Sequence, residues 1–309
     1  MKPQSDPKVD YAFKHVFGRE QSKPALMNLI DAVLQPARGE QITSLELMNP
    51  FNDKEALDDK LSILDIKVRD QRGRQFNVEM QMLAFGDFRQ RALYYWSRLH
   101  QSQLHEGTGY EVLQPTIAIC FVDTPLFPDI ADYHLIFELR ERGHQSLFTD
   151  QLAVHILELP KFNKTVEQLA TPLDRWLYFL RHAQALDADA LPVPLDVSDV
   201  RWAMGDLIMI SQSEIDRERY ESRLKAQRDA HSLMLEARDA REKGLQQGLQ
   251  QGREEGRAEG QIARIQSFQR LLRQDVSSVE QLHATALADL QDLAARLEAE
   301  LAARIPNGM

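Results

Sequence analysis

The chain has 309 residues, 43% hydrophobic and 27% charged, an ordinary composition for a globular protein. A formal net charge of -10 argues against a chain wrapped in nucleic acid but leaves room for a locally basic cleft. A single cysteine rules out an internal disulfide, no apolar run is long enough to span a membrane, and MKPQSDPKVD lacks a signal-peptide core, so a cytoplasmic location is expected.

DYAFKHVF (Asp10 to Phe17) has apolar residues at helical spacing, with Gly18 as its stop. Ser22, followed by Lys23 and Pro24, reads as the N-cap of a helix running to about Leu34. Ile42 to Pro50 predicts a strand, and the acidic loop FNDKEALDDK follows it. Leu61 to Met82 then reads as a β-hairpin around QRG. DFRQRALYYWSRLHQSQL predicts a helix with Leu93, Trp96, Leu99 and Leu104 toward a core and Arg89, Arg91 and Arg98 around it. Pro115 to Asp123 is the unbroken apolar run of a strand buried on both faces, which also makes Cys120 a core thiol.

A helix between the third and fourth strands requires a crossover, so the sheet is mixed. Two further strands are expected at about 133–141 and 152–159, and the pattern turns helical from about Thr165. The division is a domain over 1–212 with a helical extension from about 165, a charged glycine-spaced tail over 213–265, and a short helical segment over 266–309. In the tail Gly244, Gly248, Gly252, Gly256 and Gly260 recur at every fourth position and draw a stripe along a helix. The stripe either lets another helix approach closely or marks a weak, solvated helix, since each glycine costs about 1 kcal/mol against alanine. Ser277 or Ser278 caps the last segment.

The hairpin carries the chemistry. With Gln71-Arg72 in a type I turn and Gly73 in the left-handed bulge position, Asp70 and Arg74 are the last paired residues. That register sets Asp65 opposite Glu79 on one face, their Cβ atoms roughly 5 Å apart, together with Lys67 and Gln81. Paired carboxylates at that spacing call for a cation, and oxygen donors suit Mg²⁺ or Mn²⁺. Carboxylates on a solvated strand face are the competing explanation. The histidines show no helical metal-ligand pair, and there is no GxSxG, P-loop or GxGxxG.

Asp65, thirteen intervening residues and then Glu79-Met80-Gln81, in an αβββαβ order, resemble the PD-(D/E)xK nuclease superfamily. The words DYAFKHVFG, ILDIKVRD, NVEMQ, RALYYWSRL and HEGTGYEVLQPTIAICF more closely resemble the recombination-promoting nuclease/transposase family within it. The resemblance covers residues 6 to 160 and, more loosely, the tail. It implies a restriction-endonuclease-like α/β fold with a mixed sheet, a helical appendage and a long charged helical C-terminal tail. It further implies a Mg²⁺- or Mn²⁺-dependent DNA endonuclease in which Asp65, Glu79 and the Met80 carbonyl hold the metal.

Gln81 stands where the superfamily has lysine, a substitution usual in the family it resembles, and Lys67 is a candidate to restore the charge. Lys60, Arg89 and Arg91 are candidate DNA contacts. DNA is the expected partner, with homo-oligomerisation through the tail. The alternative is a catalytically weak or idle nuclease fold that works as an oligomerising module through that tail.

Overall fold

The computed structural model describes residues 1–49, 66–82 and 87–304, with the backbone of 51–52 and 62–63. By contacts the chain falls into two units, Met1–His231 and Ser232–Met309.

The first unit opens with α1 (Asp10–Phe17), which buries Ala12, Phe13, Val16 and Phe17. Its end follows from Gly18, where a Cβ would stand 2.8 Å from the Lys14 carbonyl oxygen. α2 (Lys23–Leu34) has Ser22 at its N-cap position, but the Ser22 side chain makes no capping bond. A 3₁₀ turn over Glu20–Ser22 already holds the Ser22 backbone in helical conformation, so capping geometry is not available.

The strands are β1 (Leu45–Leu47), β2 (Phe51–Asn52), β3 (Ser62–Ile63), β4 (Ile66–Asp70), β5 (Gln75–Gln81), β6 (Thr116–Val122), β7 (His134–Glu138) and β8 (Leu152–Glu158). β2 and β3 form a separate two-stranded ribbon, and the six others make one mixed sheet in the order β1-β4-β5-β6-β8-β7. The turn between β4 and β5 has the expected geometry. Asp70 N–H donates to the Arg74 carbonyl at 3.0 Å, Gly73 N–H donates to the Asp70 carbonyl at 3.0 Å, and Gly73 has φ +81°. Ile66 then pairs with Val78 and Lys67 with Asn77, the register the turn demands.

α3 (Phe88–Gln101) carries the chain across the sheet, so that β6 lies parallel to β5. Its buried residues are Phe88, Ala92 and Leu99, whereas Leu93 is 54% exposed, and Leu104 lies beyond the helix end. Trp96 is half-buried and donates to the Thr116 carbonyl at 2.7 Å. The expected inward stripe is rotated by one residue because α3 seats the small Ala92, not Leu93, against the sheet.

Helical structure resumes later than Thr165. A 3₁₀ turn comes first, and α4 (Pro172–His182) begins behind a capping box formed by Thr171 and Asp174. α5 (Ser198–Gln212) follows, then α6 (Glu214–Leu272). α1, α2, α4 and α5 cover one sheet face around Phe76, Val78, Met80, Ile119, Phe121 and Trp176. α3 covers the other around Ala118, Cys120, Val122, Val154 and Ile156. The first turns of α6 are tied to α1 and its leader: Tyr11 Oη donates to Asp216 at 2.5 Å, and Asp6 N–H to Tyr220 Oη at 2.9 Å.

The second unit packs the end of α6 against α7 (Val279–His283) and α8 (Leu287–Arg304) through Ile262, Ile265, Leu282, Leu290 and Leu297. Ser278 caps α7 in a capping box with Gln281.

The turn offers the first test. An alanine Cβ at Gly73 would meet the Gln114 side chain at 3.1 Å in a backbone conformation that disfavours L residues. Gly73→Ala should therefore cost about 1–2 kcal/mol in denaturant unfolding, from the left-handed penalty alone. An unchanged midpoint would show that the turn does not hold the register.

Candidate functional site

The alternation of β5 sends Phe76, Val78 and Met80 into the core and turns Asn77 and Glu79 to the α3 face. Lys67, opposite Asn77 on β4, shares that face. The face is not solvated. Glu79 is 6% exposed, Lys67 8% and Asn77 1%, so Glu79 is not a carboxylate on a wet strand face. Asp65 and Lys60 lie outside the described residues. Met80 is buried with its side chain in the core.

A buried carboxylate must be charged at some cost. Burial pushes the Glu79 carboxyl up from its ordinary range; a hydrogen bond from Asn77 and the positive charges of Arg91 and Lys14 oppose that shift. Asn77 Nδ2 donates to Glu79 Oε1 at 2.6 Å. Arg91, from the first turns of α3, lies over the Phe88 ring and donates through Nη2 to Gln81 Oε1 at 3.0 Å. Its Nε is buried with no hydrogen-bond partner. Arg91 therefore places a cation against Gln81.

Gln81 and Met82 also line a cleft of about 200 Å³, with Asp10 of α1 on one side and Arg223, Ala226, Gln227 and Ala230 of α6 on the other. Asp10 pairs with Lys14 at 2.8 Å. Arg89, by contrast, is exposed and holds a neighbouring loop, stacking on Phe127 and donating to the Leu126 carbonyl at 3.1 Å.

Asp10, Lys14, Arg223 and Gln227 were not legible as site residues. The i, i+4 pairing of Asp10 with Lys14 was the one usable signal. In α6 the composition speaks only of helix formers and charge. The histidines do form a pair, but across strands: His134 Nε2 and His155 Nδ1 stand 3.0 Å apart. Burial lowers both, and His155 falls to about 4. Among the described residues no group of three or more His, Cys, Asp or Glu is arranged to hold a metal.

A six-stranded mixed sheet, with its second and third strands joined in a hairpin and a helix crossing to the fourth, is a PD-(D/E)xK nuclease-like fold. Residues 7–237 match the family model described as PD-(D/E)XK nuclease family transposase, and the chain belongs to that family. The match runs from α1 into α6, so the helices after the sheet fall within it. No curated protein and no solved structure matches the chain significantly. Among the described residues no helix is long and apolar enough to cross a membrane.

The electrostatics can be measured. Removing the Arg91 charge should raise the Glu79 carboxyl pKa further, because that charge now opposes the effect of burial. In a carboxyl NMR titration Arg91→Ala should move the Glu79 midpoint up, and Arg91→Lys should move it less. The sign carries to stability. A carboxyl raised in the fold binds protons more tightly there, so stability should fall as pH rises from the ordinary 4.5 through the raised value. Glu79→Gln should remove that portion of the pH dependence. An unmoved midpoint in Arg91→Ala would show that the guanidinium does not reach Glu79.

Proposed function

We propose that this chain is a Mg²⁺- or Mn²⁺-dependent DNA endonuclease that promotes recombination, working on DNA in the cytoplasm. The observation that carries the proposal is the buried Glu79 carboxylate, hydrogen-bonded to Asn77 on a face shared with Lys67. A buried acid with one hydrogen bond and cations nearby fits an ion-binding role, because a cation offsets the cost of keeping it charged. Asp65, Glu79 and the Met80 carbonyl would hold the ion; all are hard oxygen donors. When bound, such an ion makes a water more acidic and draws charge from a phosphoryl oxygen.

The chain's own residues supply the rest. Gln81 accepts from Arg91 through its oxygen, which orients the amide so that donation falls to its NH₂ group. Arg91 brings to Gln81 the positive charge that a lysine would carry, and Lys67 adds charge on the same face. Lys60, Arg89 and Arg91 are the proposed phosphate contacts, joined by Arg223 from the opposite wall of the cleft. Against a net charge of -10, such local contacts predict weak, sequence-independent binding that falls steeply with salt.

Plasmid cleavage with Mg²⁺ tests this directly. Asp65→Ala and Glu79→Ala proteins with unchanged circular dichroism should not cut. Gln81→Ala should lose about 10²–10³ in rate, the usual cost of one oriented donor. Equal cutting by wild type and Glu79→Ala would remove Glu79 from the reaction.

One observation favours a second reading, in which the chain assembles through its tail and the nuclease fold is weak or idle. At Gly244, Gly248, Gly252, Gly256 and Gly260 an added Cβ would meet nothing within 4 Å. The stripe is open to a helix from another copy. Light scattering of the whole chain and of a protein ending before Gly244 should then show a drop in subunit number. An unchanged number would count against assembly through the tail.

A further inference from the structure

β7 is the last strand of the sheet, and its outer edge carries no strand among the described residues. Glu158 N–H donates to the Tyr133 carbonyl at 2.8 Å. Alternation along an antiparallel pair then turns the backbone groups of Leu135 and Phe137 toward β8 and those of His134, Ile136 and Glu138 outward. The phase continues past the strand. Phe148 N–H donates to the Leu139 carbonyl at 2.9 Å and Glu141 N–H to the Ser146 carbonyl at 2.8 Å, so the backbone groups of Arg140 also face outward.

This edge is apolar. On it Ile136 is 54% exposed and Leu139 48%, and Phe148, which pairs with Leu139 from the inner side, is 77% exposed. Sheets that stay single blunt such edges with like charges, proline or a bulge. Here the two charges are opposite in sign and two residues apart: Arg140 Nη2 donates to Glu138 Oε2 at 2.6 Å, and both side chains are exposed.

We propose that this edge binds a second copy of the chain by antiparallel β7–β7 pairing about a twofold axis through Leu139. The charges select that register. An axis through Glu138 would set Glu138 against its own copy, one through Phe137 would set Arg140 against His134 and Glu138 against Ile136, and one through Ile136 would set Arg140 against Asp132, outside β7, and leave Glu138 against His134 instead of an arginine. An axis through Leu139 sets each Glu138 opposite the other copy's Arg140, two complementary pairs from one self-complementary edge. Both residues face their backbone groups outward, so these pairs are also the hydrogen-bonded ones. Leu139 meets itself on the axis, flanked by Phe137 and Phe148, which share its face. The interface is separate from the glycine stripe and joins two nuclease folds through one continuous sheet.

The test uses the full-length chain with a cysteine on the axis; the native Cys120 is buried and silent. In a non-hydrogen-bonded antiparallel pair the Cβ atoms approach to about 4.5–5.5 Å, close enough for a disulfide under mild oxidation. Leu139→Cys should therefore give a disulfide-linked dimer on a non-reducing gel. Adding Glu138→Arg should cut the yield at least tenfold, and so should adding Arg140→Glu. Mixing those two double variants should restore it, because every arginine of one copy then faces a glutamate of the other. Absence of the disulfide in Leu139→Cys, equal yields with Glu138→Arg, or no restoration in the mixture would overturn the proposal. Assembly through the tail alone predicts no cross-link at 139 that responds to these charges.

Discussion

The Glu79 carboxylate sits inside the sheet, and much of the surrounding structure bears on how it is tolerated there. A charge at 6% exposure is costly unless it is hydrogen-bonded and faced by cations. β5 places Asn77 two residues away on the same face to donate to it, and α3 brings Arg91 alongside at Gln81. α1 adds Lys14, whose charge also acts on Glu79. The helices that cover the two sheet faces thus serve packing and electrostatics together. The same layers that exclude water from the core also deny water to this carboxylate.

That arrangement bears on the glutamine in the motif. Read residue by residue, Gln81 is a loss of charge where a lysine is expected. Seen in the fold, Gln81 and Arg91 form one unit, a neutral amide touched by a guanidinium from the next helix. Lysine is a mobile point charge, whereas the guanidinium is always charged and its planar shape holds the amide in one orientation. A guanidinium charge carried by α3 thus stands beside the β5 glutamine.

The elements near the site were legible because they rest on local chemistry. Turn composition alone specified Gly73 at positive φ and, through it, the pairing of Lys67 with Asn77. The apolar run ending in Val122 announced a strand buried on both faces, and the strand is so. What escaped depended on tertiary contact. Leu93 is as apolar as Leu99, but α3 turns Ala92 to the sheet. Arg91 looked like a surface arginine because sequence spacing cannot show that Gln81 lies beneath it. The wall formed by Arg223 and Gln227 was hidden in a segment whose composition reports only a long charged helix. Which edge of β7 carries no partner strand among the described residues was equally invisible, since HLIFELR does not say on which side the strand pairs.

On the proposed reading, the Glu79 face holds a divalent cation at which a phosphodiester is cut. This is tested most directly by anomalous scattering from a crystal soaked in Mn²⁺. The account predicts a peak bonded to a Glu79 carboxylate oxygen at about 2.1–2.2 Å, shared with Asp65 and abolished in a Glu79→Gln crystal. Mn²⁺ bound elsewhere, with Glu79 still accepting only from Asn77, would contradict it.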